Sequence, residues 1–407
     1  MSEMIRLKYV SSINEDVLEE DADPGFEFLY VDISAVGQGT LALPAEPTHF
    51  AVAPSRARRL AVAGDTVVST VRTYLRAVTE VPATEGPLVF STGFAVISPD
   101  RQRVYPRYLT WQLQADNFIS TVESISAGVS YPATSAAAIG DIGVRIPPLN
   151  VQRAVADFLD RETAKIDALI AKQEELVDAL NEHRTAVVSS AAPSSLEAMG
   201  WPLDKLGRRT RIGNGSTPSR DNPDYWEDGT IPWMNSSVVN QALAVGPSAL
   251  VTELAVAQCH SPPVRAGSLL VGLTGQGKTR GMATLTGIDT TTSQHLAFVQ
   301  PSERHWDSGF LLWQLRASYG ELRRMSDENG STKGGLTCGD LASLRVAMPP
   351  LEQQTSMAAR IDRETRRIDA VVDKARALMG TMRERRAALI TAAVTGTLDV
   401  TTYGKAG

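Results

Sequence analysis

The stretch "PPLNVQRAVADFLDRETAKIDALI", residues 147–170, returns as "PPLEQQTSMAARIDRETRRIDAVV", residues 349–372, with no gap at an offset of 202. Between 160 and 186, twelve of 27 positions are identical to their counterparts. Unrelated helices do not match so well, so the chain carries an internal duplication. Each copy reads as one long helix. A double proline closes the preceding segment, because proline restricts both itself and the residue before it, and no further proline comes for about 40 residues. Alternate steps of four and three select Leu159, Ile166, Leu169, Leu176 and Leu180 in the first copy and Ile361, Ile368, Val371, Leu378 and Met382 in the second. That is a heptad seam in one register, twice. At 1.5 Å per residue, a helix of about 40 residues is roughly 60 Å long, too long to lie inside a small domain, so the two are expected to pack on each other.

Charge supports that pairing. Residues 150–190 hold five basic and eight acidic side chains, net -3, whereas residues 352–390 hold nine and six, net +3. Each exposed pair is worth only about 0–1 kcal/mol, so the apolar seam supplies stability while charge helps choose the partner.

The intervening segments are more distantly related. At the same offset "YLTWQLQA" (108–115) meets "FLLWQLRA" (310–317), and "STGFAVISP" (91–99) meets "SQHLAFVQP" (293–301). Runs such as "DTVVSTV" and "SLLVGLT" read as strands and the Trp111 and Trp313 segments as short amphipathic helices, which predicts two α+β heads alternating with two antiparallel helices. The frame is common to the halves and the loops differ, as expected of two dissimilar reading heads.

Composition narrows the chemistry. The chain has 407 residues with 43% hydrophobic and 21% charged content, enough for about two or three domains. No apolar run of spanning length and no secretory start is present, which predicts a cytoplasmic protein without a membrane anchor. Cys259 and Cys338 are too few for a disulfide scaffold, and the five histidines include no pair at metal-site spacing.

"GLTGQGKT" (272–279) fits the P-loop pattern, yet "RGMATLTGIDTTTS" after it is a poor helix by propensity, and a phosphate-cradling loop needs one. "NPDYW" (222–226) is close to the base-holding motif of amino-methyltransferases, but Asp224 stands where that motif has a second proline, and no glycine-rich cofactor loop follows a strand in that half. No nucleophile elbow or nuclease-like carboxylate cluster stands out, so the chain reads as non-catalytic, with no cofactor or metal of its own.

Basic residues cluster despite a net charge of -6. In the first half Arg56, Arg58, Arg59, Arg72 and Arg76 face one acid between 51 and 79, with Tyr74 among them. In the second, Lys205, Arg208, Arg209, Arg211 and Arg220 face none between 205 and 220 and are interleaved with Asn214, Ser216 and Thr217, small polar groups suited to phosphates and base edges. With Gln276, Lys278 and Arg280 of the glycine-rich loop and Lys333, these are the candidate nucleic-acid contacts; an anionic surface such as nucleic acid is the implied partner.

The "PPL...Q...DRETxxIDALI" run, its copy and the closing "RRAALITAAVTGTLDV" (385–400) together resemble the specificity subunit of type I restriction-modification systems. The resemblance implies a first target-recognition domain at 1–149, a long helix at 150–192, a second target-recognition domain at 193–351, a second long helix at 352–394 and a tail at 395–407. It implies recognition of a bipartite, asymmetric site in double-stranded DNA. It further implies assembly with two modification (methyltransferase) subunits that use S-adenosylmethionine, and with ATP- and Mg-dependent restriction subunits. "TGQGKTRG" then looks like a target-recognition loop. Two departures stand against the pattern. The family has Glu-Gln after the prolines, where this chain has Val151-Gln152 and Gln353-Gln354, and the first half lacks the "WPLDKLG" opening of the second (201–207), which predicts a shortened or altered first strand. Two other classes of protein share parts of the sequence: a coiled-coil adaptor that binds no DNA, and a P-loop NTPase.

Overall fold

The computed structural model describes residues 4–275, 277–328 and 335–400. Two helices dominate, Leu149–Ser189 of 41 residues and Leu351–Thr395 of 45 residues. The chain forms two compact units, one of residues 1–174 with 376–407, the other of residues 175–375. Each unit therefore holds one head, the beginning of the long helix after it and the end of the other long helix.

Within the first unit, Asp167 pairs with Arg386 at 2.9 Å and Glu174 with Arg383 at 3.0 Å; within the second, Arg184 pairs with Asp369 at 2.7 Å. Partner numbers fall as residue numbers rise, so the helices run antiparallel, and two of these pairs join an arginine of the basic helix to a carboxylate of the acidic one. The charge complementarity read from the sequence is thus realised along the helices, in partly exposed pairs of modest energy.

The seam itself is corrected. Leu159, Ile361 and Ile368 are buried and Ile166, Leu180 and Met382 half-buried, but Leu169 (49% exposed), Leu176 (41%), Val371 (44%) and Leu378 (43%) point away from the partner. The inward ladder instead runs Leu159, Thr163, Ile166, Ile170, Gln173, Val177, Leu180, and in the second helix Ile361, Thr365, Ile368, Val372, Ala375, Met379, Met382. Both ladders step by four and three and share every second member. The doublets Leu169-Ile170, Leu176-Val177, Val371-Val372 and Leu378-Met379 offer an apolar side chain to either one, so periodicity does not choose. The inward ladder also passes through Thr163 and Thr365, which bury their methyl groups while their hydroxyls donate to Leu159 O at 2.6 Å and Ile361 O at 2.8 Å.

The heads repeat one plan. Each is closed by a short antiparallel strand pair, Met4–Arg6 with Gly143–Arg145 and Leu203–Lys205 with Arg345–Ala347. Among the described residues the first strand spans three residues and pairs antiparallel, as its counterpart does, so the expectation of a shortened or altered first strand is corrected: the Trp201-Pro202 opening lies outside the strand. In the first head Ser11–Ile13, Phe94–Pro99, β1 (Thr66–Ser69) and β2 (Val78–Glu80) form one sheet in that order; Thr48–His49, Glu27–Val31, Leu88–Ser91 and Ala57–Ala61 form another. In the second head the main sheet runs Thr210–Asn214, Leu296–Pro301, β3 (Leu269–Gly272), β4 (Ala283–Thr286) and Leu243–Ala244. The runs "DTVVSTV" and "SLLVGLT", expected as strands, do hold β1 and β3, and all four residues of each strand are buried. Two helices back each hairpin: α1 (Pro106–Gln114) and α2 (Asp116–Ser124), then α3 (Ser308–Ala317) and α4 (Tyr319–Glu328).

Each head is fastened to its long helix by the repeated motif. Gln152 is fully buried, accepts from Tyr105 N at 2.8 Å and donates to Arg103 O and Pro147 O; Gln354 is 1% exposed, accepts from Asp307 N at 3.0 Å and donates to His305 O and Pro349 O. The glutamine common to both copies carries this clamp, and the departures at Val151 and Gln353 leave it intact.

Candidate nucleic-acid interface

In the first head, β1 and β2 form an antiparallel hairpin whose loop, 70–77, carries Arg72, Tyr74 and Arg76. Two arginines in this loop adopt left-handed backbone, Arg72 at φ 50° and Arg76 at φ 54°, a conformation that costs a non-glycine residue about 1–2 kcal/mol. The surroundings hold both. Arg72 N donates to Pro132 O at 2.7 Å and its guanidinium lies 5.2 Å above the Tyr131 ring. Arg76 reaches back to α2, 2.7 Å from Asp116 and 3.4 Å from Glu123. Facing outward is Tyr74, 54% exposed, with Leu75 at 49% and Tyr131 at 68%.

The turn at Thr92-Gly93 links this loop to the other arginines. Thr70 N donates to Gly93 O, and Thr92 N donates to Arg56 O, both at 2.8 Å, so exposed Arg56 lies at the same end of the head as the loop. Arg58 and Arg59 continue along Ala57–Ala61 away from that end. Arg58 lies over the Phe50 ring at 5.4 Å, and Arg59 buries its Nε without a partner.

In the second head the P-loop resemblance is resolved by topology. Residue Gly272 ends β3, Gly281 N donates back to Gly272 O at 2.8 Å, and the chain returns antiparallel as β4. A strand stands where a phosphate-binding loop requires a helix N-terminus, so the P-loop NTPase reading fails. The glycines serve the hairpin: a Cβ on Gly272 would overlap the Thr279 carbonyl, and Gly281 needs φ 82°.

Three segments meet beside this hairpin. Asn214 Nδ2 donates to Gln294 O at 3.0 Å, Thr217 Oγ1 donates to Gln294 Oε1 at 2.6 Å, Gln294 Nε2 lies 3.3 Å from His295 Nε2, and His295 Nδ1 shares a 2.9 Å hydrogen bond with Thr274 Oγ1. The result is an exposed polar network of amide, imidazole and hydroxyl groups, able to exchange hydrogen bonds with base edges. Ser216 lies beneath it, its carbonyl accepting from Trp233 Nε1 at 3.0 Å and its hydroxyl buried. Nearby, Arg220 stacks on the Trp226 ring at 3.6 Å. The "NPDYW" segment is a capped turn in which Asp224 N donates to Asn222 Oδ1, a structural use of the motif.

The structure divides the second basic patch. The strand Thr210–Asn214 pairs Thr210 with Pro301 and Asn214 with Ala297 and is about 13 Å long, so Arg208 and Arg209 lie beyond its opposite end from Asn214. Asp204 engages Arg208 at 2.8 Å and lies 4.0 Å from Arg209. Arg211, over Phe298 at 5.3 Å, lines a cleft of about 620 Å³ with Arg265 and Arg304 at that end. Lys278 is exposed on the hairpin loop, but Arg280 is 9% exposed and pairs with Asp327 at 2.7 Å. Gln276 and Lys333 lie outside the described residues.

Gln294 and His295 escaped the charge-based reading because neither carries a formal charge. A signal was available: the aligned strands "STGFAVISP" and "SQHLAFVQP" differ at Thr92-Gly93 against Gln294-His295, where the frame gives way to the loop end. Among the described residues no group of three or more His, Cys, Asp and Glu side chains could hold a metal ion, and no helix is long and apolar enough to cross a membrane.

Residues 205–373 match the family model of the type I restriction modification DNA specificity domain. The chain is 20% identical over 216 residues to the EcoR124I/EcoR124II specificity subunit of Escherichia coli, a match covering 53% of this chain and 52% of that protein. It is 26% identical over 112 residues to the StySPI specificity subunit of Salmonella potsdam, covering 26% and 24%. The chain thus spans about half, or less, of the length of these relatives. Its fold is similar to a chain solved in work on complex assembly and conformational transition of the type I restriction-modification system (TM-score 0.75, 22% identity, 97% of this chain and 98% of that one). It is also similar to the HsdS subunit from Thermoanaerobacter tengcongensis (TM-score 0.59, 21% identity, 97% of each chain). The duplicated helices, the two heads on one frame and these matches agree in direction: residues 205–373 match the type I restriction modification DNA specificity domain, and the chain is similar in sequence and fold to specificity subunits of type I restriction-modification systems.

Proposed function

We propose that this chain is the non-catalytic DNA-reading subunit of a methyltransferase and endonuclease complex, each head, 1–149 and 193–351, reading one half of a bipartite duplex site. The observation that carries the reading is the contrast between a shared frame and unlike loop ends. The first head presents Arg56, Tyr74 and an arginine–tyrosine stack; the second presents the Asn214, Thr217, Gln294, His295 network beside Lys278. Arginine and lysine hold phosphates while amide and imidazole groups discriminate base edges, so the two ends suit two different sequences. The paired long helices set the spacing between the half-sites. Modification subunits carrying S-adenosylmethionine, and restriction subunits using ATP and Mg, supply the chemistry that this chain leaves to partners.

The test is to express the chain with its modification subunits in cells free of other adenine methylation and sequence the genome for methylated motifs. A single asymmetric motif in two parts is expected. Replacing Gln294 by Ala should degrade one part alone, costing about 1–3 kcal/mol of discrimination. A chain that binds duplex DNA no better at low salt than at high salt, and directs no motif, would be an adaptor.

A further inference from the structure

We infer that Arg280 and Arg76 are positioning residues, each tying a reading loop to the helix behind it, so that the carboxylates Asp327, and Asp116 with Glu123, help fix the base sequence each head accepts. This rests on the DNA-reading function proposed above. Charge alone nominates both arginines as DNA contacts, but their geometry points the other way. Each occupies the end of a hairpin loop just before the returning strand, and each turns inward. The Arg280 side chain is only 11% exposed, with Asp327 of α4 at 2.7 Å. The same helix holds the loop twice more: Arg323 Nη1 donates to Gly277 O at 2.9 Å and Tyr319 OH to Lys278 O at 3.4 Å. In the first head Arg76 spans two carboxylates of α2, at 2.7 and 3.4 Å, from a left-handed backbone at φ 54°.

The acids are not equivalent in the repeat. At the offset of 202, Asp116 and Glu123 correspond to Ser318 and Met325, and Asp327 to Ile125. The same tie has been made twice with different partners, which is the mark of a requirement on the loop and not of shared ancestry. Arg280 gives Asp327 an Nη2 bond and Arg76 gives Asp116 an Nη1 bond, and a guanidinium turned inward to a carboxylate is not presented outward for a bidentate bond to a guanine. The groups left outside by the ties, Tyr74 in one head and Lys278 in the other, are the ones the loops present. Asp327 is 64% exposed, and a pair between two exposed groups would hold little. The burial of Arg280 is what makes the tie matter, since removing Asp327 leaves an enclosed charge without its acid.

The experiment uses the full chain assembled with its modification subunits, and reads the methylated motif genome-wide together with the melting temperature of the complex. Asp327→Ala and the shape-conserving Asp327→Asn are each expected to relax base preference by roughly three- to tenfold in one half-site, leaving the other half-site unchanged. The exchange of Arg280→Asp with Asp327→Arg should recover part of it. Asp116→Ala combined with Glu123→Ala should do the same to the opposite half-site. An unchanged motif in both Asp327 variants, whether or not the melting temperature falls, overturns the proposal, as does loss of recognition in Arg280→Lys with none in Asp327→Ala, the pattern of a direct reader. An unaltered chain that directs no motif at all overturns the DNA-reading function itself, and this inference with it.

Discussion

Trp313 donates its indole N–H to Asp362 at 2.7 Å, and 202 residues earlier Trp111 donates to Asp160 at 2.9 Å. Each bond joins a helix of a head to the first residue of the "DRET" motif on the next long helix. Together with Gln152 and Gln354 it explains why those motif positions recur in both copies: a buried glutamine satisfies three backbone groups and an aspartate receives the tryptophan. The repeat is a device for mounting a head on a helix.

Removing the glutamine clamp should therefore destabilise the protein strongly. Gln354→Ala leaves Asp307 N, His305 O and Pro349 O without their buried partner, at about 2–4 kcal/mol. Gln152→Ala should do the same through Tyr105 N, Arg103 O and Pro147 O. Urea unfolding of each variant checks this, and a loss below about 0.5 kcal/mol would show that water replaces the clamp.

The corrected seam makes a prediction about two adjacent valines. Val372 is 5% exposed and Val371 is 44% exposed. Val372→Asp should destabilise the protein by about 3 kcal/mol or more, because it places a carboxylate in the helix contact, while Val371→Asp should change stability by less than about 0.5 kcal/mol. The reverse order in thermal unfolding would restore the ladder through Leu169 and Leu176.

Tyr108 is fully buried and donates to Arg145 O at 2.9 Å, and burial pushes its phenol up to about 12. The unfolded chain ionises it near 10, so between about pH 10 and 12 the folded state holds a proton that the unfolded state has lost, and stability falls as pH rises through that window. The contribution lost is on the order of 2–3 kcal/mol. Tyr108→Phe should flatten this limb of the stability profile, as measured by alkaline denaturation.

The spacing proposal is tested by length. Inserting one heptad after Leu176 and one after Leu378 preserves the angular phase of both ladders and lengthens the pair by roughly 10 Å, so the gap between half-sites should grow by about three base pairs with their sequences unchanged. Four inserted residues should turn the ladders apart and abolish assembly. An active heptad variant with an unaltered gap in its methylated motif would mean that the helices do not set the spacing.

Much of this molecule is legible in local sequence. The duplication, the two helices and their antiparallel partnership rest on periodicity and charge, which a linear chain displays directly. The choice between Val371 and Val372 does not, because both satisfy the same alternation and only the facing helix distinguishes them. Nor does the fate of Arg76 and Arg280: a basic residue in a loop is free or tied according to carboxylates 40 to 47 positions away in the chain. The glycine-rich loop has a P-loop pattern in sequence and is a hairpin in space, since the element after a loop is decided by the sheet to which the chain returns. Gln294 and His295 acquired their place from two other segments, one carrying Asn214 and Thr217 and the other Thr274, which converge only when the strands pair. Sequence by itself determined the frame, because helices and their seams are built from neighbours three and four residues apart. Tertiary structure decided the site, because a recognition surface is assembled from residues whose proximity no local rule encodes.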